Sequence, residues 1–259
     1  MRCVSVVGYQ NLEVKSQQTS GGYSWLLNTL PAVGKAKEDL TFGDFKVVTP
    51  DGGLLDQYSV QVVVYGDAGQ EVGMYSYVDE AAISIYGWPC DPGWYTTASL
   101  EDYSCVSAND VVIPFGYGFM VISNCGASLT CAGEVAKGAT DITINSQTTS
   151  GGYTWTGNCS PVDLTFKEIG IIAPEGGLLD QYSVQVVVYG DAGQEVGMYS
   201  YVDEVAISIY GWPCDPGWYT TASLEDYSCV SAADVELKAG QMVMIISNCG
   251  ATWSVPSAL

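Results

Sequence analysis

Apolar and polar residues alternate along this chain with a period of two, in short runs cut by Gly, Pro, Asn and Asp. From Tyr58 to Tyr65, the residues Tyr58, Val60, Val62 and Val64 share one face, and Ser59, Gln61, Val63 and Tyr65 share the other. Gly66-Asp67-Ala68-Gly69-Gln70 then reads as a hairpin turn with two glycines available for positive φ. The return run Glu71–Val78 alternates again, with Val72, Met74 and Val78 opposed to Tyr75 and Tyr77. Further strands are predicted over Ala81–Tyr86, Val111–Ile113 and Phe119–Ser123, the last two separated by the turn Phe115–Gly118. Ser128–Cys131, and Thr252–Val255 farther on, complete the series. No window of 11 residues carries a helical period, although Ala98–Cys105 fits one short turn of helix, with Ser99 and Asp102 as its N-terminal box. Many short strands at even spacing predict an all-β chain of sandwich or small-barrel type.

The pattern occurs twice. Residues 52–108 recur at 176–232, offset by 124, and all 57 positions agree except Ala81, which becomes Val205. Nearer the N-terminus the offset is 130, so the first copy carries six extra residues within Leu26–Glu38, a position suited to a surface loop. The fold expected is therefore all-β, with two tandem β-sandwich (or small barrel) domains related by internal duplication. The boundaries are 1–134 and 135–259, joined by a short link near Ala132–Thr140. Each domain is long enough for its own core.

Charge narrows the partners. With 29 acidic and 8 basic residues the net charge is −21, which disfavours nucleic acid and anionic membrane surfaces. No apolar run is long enough to span a bilayer, and the N-terminal stretch Met1–Gln10 holds no long apolar core of the signal-peptide kind. A chain made in the cytoplasm and used outside it, in a virion or extracellular particle, fits both observations.

Catalytic signals are missing. There is no histidine, so Ser-His-Asp and Cys-His arrangements cannot be built, and no phosphate- or dinucleotide-binding glycine motif occurs. The expectation is a non-enzyme without cofactor or dedicated metal site. Asp91, Glu101 and Asp102 would be the carboxylates for Ca²⁺ if they converged, but they lack the EF-hand spacing. Asn158-Cys159-Ser160 matches a glycosylation acceptor in form only.

Nine cysteines include three pairs at offset 124, and none sits in a C-x-x-C zinc spacing. The best disulfide candidates are Cys90 with Cys105 and Cys214 with Cys229. Each would close a loop of about 15 residues, worth on the order of 3 kcal/mol. Overlapping the first cysteine of each pair lies the most distinctive loop, Gly87–Tyr95, repeated at Gly211–Tyr219. Trp88, Trp94 and Tyr95, with Trp212, Trp218 and Tyr219, either cover the end of a core, or meet another subunit, or stack on sugar rings.

Gly22-Tyr23-Ser24-Trp25, Asp39-Leu40-Thr41-Phe42, the Tyr/Val hairpin, the Gly-Trp segment, Gly116-Tyr117-Gly118-Phe119-Met120-Val121 and the terminal Pro256-Ser257-Ala258-Leu259 follow in order. In that order the chain resembles uncharacterised, tandemly repeated β modules of bacterial and phage surface or virion proteins. The resemblance implies a structural or surface role without catalysis. Taken together, the expected role is a self-assembling or particle-decorating structural protein, with homo-oligomeric or other structural partners. The competing expectation is a tandem carbohydrate-binding protein that uses the Trp-rich loops.

Overall fold

The structure is a computed structural model, and it describes residues 7–17, 23–31, 39–49, 53–66, 69–147, 153–190 and 193–256. The chain divides into two compact units, whose main bodies are Met1–Tyr65 with Glu71–Val135, and Ala136–Gly190 with Gln194–Leu259. It is mostly β, in several antiparallel sheets.

The first unit contains β1 (Val7–Val14), β2 (Ser24–Leu27), β3 (Leu40–Thr41), β4 (Lys46–Val48), β5 (Gln61–Tyr65) and β6 (Glu71–Val78). Helix α1 (Glu80–Tyr86), β7 (Gly93–Thr96), helix α2 (Thr97–Glu101), β8 (Val112–Ile113), β9 (Gly118–Ile122) and β10 (Ala127–Glu134) follow. One sheet has the order β1-β10-β4, a second β2-β9-β5-β6-β7, and β3 pairs with β8. The core is shared between the two larger sheets. Leu12, Val14, Leu129 and Cys131 come from one, and Val62, Phe119, Val121 and Trp94 from the other. That is a sandwich-like arrangement, and it follows from the alternation: Val62 and Val121 pair in register and point the same way.

The second unit holds β11 (Thr140–Ile144), β12 (Tyr153–Gly157), β13 (Leu164–Thr165), β14 (Gly170–Ile172), β15 (Gln185–Tyr189) and β16 (Glu195–Val202). After these come α3 (Glu204–Tyr210), β17 (Gly217–Thr220), α4 (Thr221–Glu225), β18 (Glu236–Leu237), β19 (Met242–Ile246) and β20 (Ala251–Val255). Its sheets are ordered β11-β20-β14 and β12-β19-β15-β16-β17, with β13 on β18.

The predicted strand Ala81–Tyr86 is helix α1 instead. Its ends decide the matter. Asp79 sits in extended conformation and its carboxylate accepts from the Ala82 N–H, a strong N-cap. Gly87 closes the helix at φ 72°, where a side chain would be strained. The other Asp79 oxygen accepts from the Leu55 N–H, so one residue both starts the helix and ties down the 53–56 segment. Asp203 and Gly211 repeat the device. Helix α2 overlaps the stretch expected to turn but starts one residue earlier, and Thr96, not Ser99, stands at its N-cap. The Ser99 hydroxyl donates to the Thr96 carbonyl and accepts from the Val106 N–H, latching the helix to the following loop.

The strand predicted to begin at Tyr58 begins at Gln61, because Asp56 organises a turn before it: its carboxylate accepts from the Tyr58 N–H and the Ser59 hydroxyl. Two buried asparagines occupy the position where the copies diverge. Asn28 donates to the Ile113 carbonyl, and Asn158 donates to those of Leu237 and Val162. The expected surface insertion lies mostly in residues 32–38, and the hairpin tip in 67–68; both fall outside the described residues. Asn158 is fully buried, so the formal glycosylation acceptor presents no amide to solvent.

Candidate functional site

The aromatic loop goes inward. Trp88, Trp94 and Tyr95 are 6%, 1% and 6% exposed, and Trp212, Trp218 and Tyr219 are 6%, 2% and 8% exposed. Trp94 stacks on Phe42 at 4.7 Å and meets the edge of Tyr77 at 5.4 Å. Trp88 belongs to a smaller cluster with Val78, Ala82, Tyr95 and Leu100, and donates its Nε1–H to the Leu100 carbonyl. The Tyr95 hydroxyl donates to the Asp91 carbonyl. Of the three roles the sequence leaves open for these rings, their burial matches the first, covering the end of the core. Burying them there removes far more apolar surface from water than a solvated loop could.

Cys90, within the loop, and Cys105 pack against the same small cluster as Trp88, and both are free cysteines in this structure. Burial, then the Cys105 thiol, pushes Cys90 up to about 12. In the second copy burial, then the Cys214 thiol, pushes Cys229 up to about 11. Burial and the same cysteines raise Tyr95 and Tyr219 to about 12. The shifted thiols are therefore protonated at neutral pH and poor nucleophiles. Cys131 and Cys159 are buried away from them and shifted the same way by burial, to about 12 and about 11.

The carboxylates do not converge. No group of three His, Cys, Asp or Glu residues able to hold a metal ion occurs among the described residues. Asp102 accepts from the Ser104 N–H and hydroxyl, which holds its carboxyl below the usual range. Glu101 faces a different surface feature.

That feature is an open cavity of ≈ 300 Å³ lined by Asp56, Gln57, Tyr58, Tyr86, Trp88, Leu100, Glu101 and Tyr103. Trp88 and Leu100 are buried, while Tyr58, Tyr86 and Tyr103 are about half exposed. The turn at Asp56 positions Tyr58, and the end of α1 positions Tyr86, whose ring lies 5.0 Å from that of Trp88. The Tyr86 hydroxyl donates a long 3.4 Å hydrogen bond to Asp56. Tyr103 and Cys105, with their copies Tyr227 and Cys229, are the non-glycine residues of positive φ among those described. Backbone held there for a bulky side chain costs on the order of 1–3 kcal/mol.

All eight lining residues belong to the exact repeat. At offset 124 the bonds recur: Asp180 accepts from the Tyr182 N–H, the Ser183 hydroxyl and the Tyr210 hydroxyl. The Asp180 carboxylate, through its charge and then this hydrogen bond, raises the Tyr210 phenol above its usual range. A larger open cavity of ≈ 460 Å³ lies over β1 and β10, between Tyr9, Asp44, Lys46 and Thr130. Its lining is not repeated: Gly170 stands where Lys46 does, and Ala139 where Tyr9 does.

Of the cavity's polar lining, Glu101 is legible in the sequence as a candidate carboxylate, whereas the tyrosines are not singled out there. The signal for them is three Tyr and two carboxylates preserved at offset 124, outside the Trp-rich loop. No protein-family model, curated protein or solved structure matches this chain. Among the described residues, no helix is long and apolar enough to cross a membrane.

Proposed function

We propose that the chain is a non-enzymatic structural protein, an internally duplicated pair of sandwich modules that self-associates or decorates a larger particle, such as a virion or an extracellular filament. The carrying observation is the outer side of the helix after β6. A short surface helix ordinarily turns polar residues outward. Helix α1 buries Ala82 and leaves Ile85 67% exposed; α3 buries Ala206 and leaves Val205 58% and Ile209 64% exposed. The one difference between the 57-residue copies, Ala81 against Val205, exchanges a small apolar residue for a larger one at this outward position. Of twenty exposed large apolar side chains among the described residues, six lie in the first exact copy and seven in the second, although the copies make up under half the chain. Exposed apolar surface of this kind marks contacts, and a second copy of the chain is the occupant most simply matched to a face displayed twice.

The acidity keeps such a protein soluble before assembly. The Cys90–Cys105 and Cys214–Cys229 pairs staple each module once oxidant is available outside the cell. Replacing Ile85 and Ile209 together by lysine tests the contact. Loss of the assembled species with an unchanged circular dichroism spectrum supports it. Assembly that persists in that variant rejects it.

A further inference from the structure

We propose that the tyrosine-lined cavity of the first module, and the identical residues of the second, bind an organic cation of the alkylammonium type. Three phenol rings surround the opening, and a ring face carries the negative part of the aromatic quadrupole. Two carboxylates, Asp56 and Glu101, stand on the same rim, and no Lys or Arg lines it. Asp56 is fixed by three donors, the Tyr58 N–H and the hydroxyls of Ser59 and Tyr86, so one negative charge is held in place. Trp88 cannot turn out to meet a ligand, because its Nε1–H is committed to the Leu100 carbonyl; it forms the apolar floor under Tyr86.

The same features exclude two other ligand classes. An anion would meet two carboxylates on a chain of net charge −21. A bare divalent ion wants six or more oxygens, and no group of three metal-ligating carboxylates or thiols occurs among the described residues. A sugar would find donors in the tyrosine hydroxyls and the Gln57 amide, so a neutral disaccharide is the competitor the test must include. A methylated ammonium group matches both parts of the lining: it is weakly hydrated, attracted to ring faces and attracted to carboxylates. The two copies give two equal sites per chain.

The test is a titration of the full chain with choline, followed by the tyrosine ring resonances. It is run beside the uncharged carbon isostere 3,3-dimethylbutanol and beside a neutral disaccharide. The proposal expects saturable shifts with choline at two sites per chain, and binding of the isostere at least about tenfold weaker, reflecting loss of the cation–π and carboxylate attractions. Replacing Tyr103 and Tyr227 by leucine should weaken choline binding roughly 2- to 5-fold, the loss of one ring per site. Replacing Ile85 and Ile209 by serine, which adds no charge beside the rim, should leave it unchanged. That contrast separates failure of this site from failure of the assembly reading. Equal binding of choline and the isostere, binding of the disaccharide in preference, or no saturable shift would each overturn the proposal. The comparison of choline with its isostere uses the unmodified protein, so it decides the matter even if a variant misfolds.

Discussion

At the scale of single residues, Asp79 ties two segments of its module together. Its two carboxylate oxygens are divided between the N-terminus of α1 and the Leu55 amide. Replacing Asp79 or Asp203 by alanine should lower the stability of the module that holds it by about 1–2 kcal/mol, the usual worth of a cap with an added amide bond. Urea denaturation measures it. Buried thiols and phenols give a second expectation. Cys90, Tyr95, Cys131 and Tyr219 are raised to about 12 from ordinary values of 9.0 for thiols and 10.0 for phenols. The folded state then holds protons that the unfolded state releases, so stability is complete below pH 9 and falls as pH climbs from 9 toward 12. The urea midpoint of reduced protein should drop across that range. A flat profile would mean these groups are not buried as described. Burial is also where residue-level reading of the sequence stopped. The composition of Gly87–Tyr95 is equally suited to a core and to a sticky loop, and only the packing of Trp94 on Phe42 and the committed Trp88 Nε1–H separate the two.

At the scale of elements, the hairpin β5–β6 was legible from its period of two, although the neighbours Val62 and Val63 are both buried, so β5 is covered on both faces. Glu71–Val78 has the expected limits, and Val62 is fully buried. Helix α1 was not legible from periodicity. In Ala81-Ala82-Ile83-Ser84-Ile85-Tyr86 the apolar residues satisfy a period of two about as well as one of 3.6, and two turns are too few to break the tie. Asp79 and Gly87, at its two ends, carried the information instead. The loop between α1 and α2 yields a prediction at this scale. Cys90 and Cys105 pack against the same small cluster, so oxidation by dissolved oxygen or oxidised glutathione should join them, releasing two protons and two electrons to the oxidant. Non-reducing peptide mapping should find Cys90–Cys105 and Cys214–Cys229. Reduction should then cost each module on the order of 3 kcal/mol. Joining the pairs should also remove their thiol share of the alkaline loss and leave the phenol share. Mapping that finds these four cysteines paired otherwise would contradict the arrangement around the aromatic loop.

At the scale of the whole molecule, two units with corresponding sheet orders display an isoleucine and a tyrosine outward on the equivalent helix, joined in the second by Val205. The variable positions, such as Lys46 against Gly170, lie elsewhere. A surface displayed twice is suited to meeting equivalent neighbours, and a heterologous contact that does not close would extend into a filament. The tandem pattern and the all-β character were visible in the alternation and the 124-residue offset. The contact surface was not, because outward placement of Ile85 depends on α1 being a helix. The most direct measurement is light scattering on size-separated protein over a rising concentration series, with negative-stain microscopy of the largest species. The account predicts a mass that is a multiple of 27.5 kDa and a regular particle or filament. A single 27.5 kDa species at every concentration, with no particle visible, would contradict it.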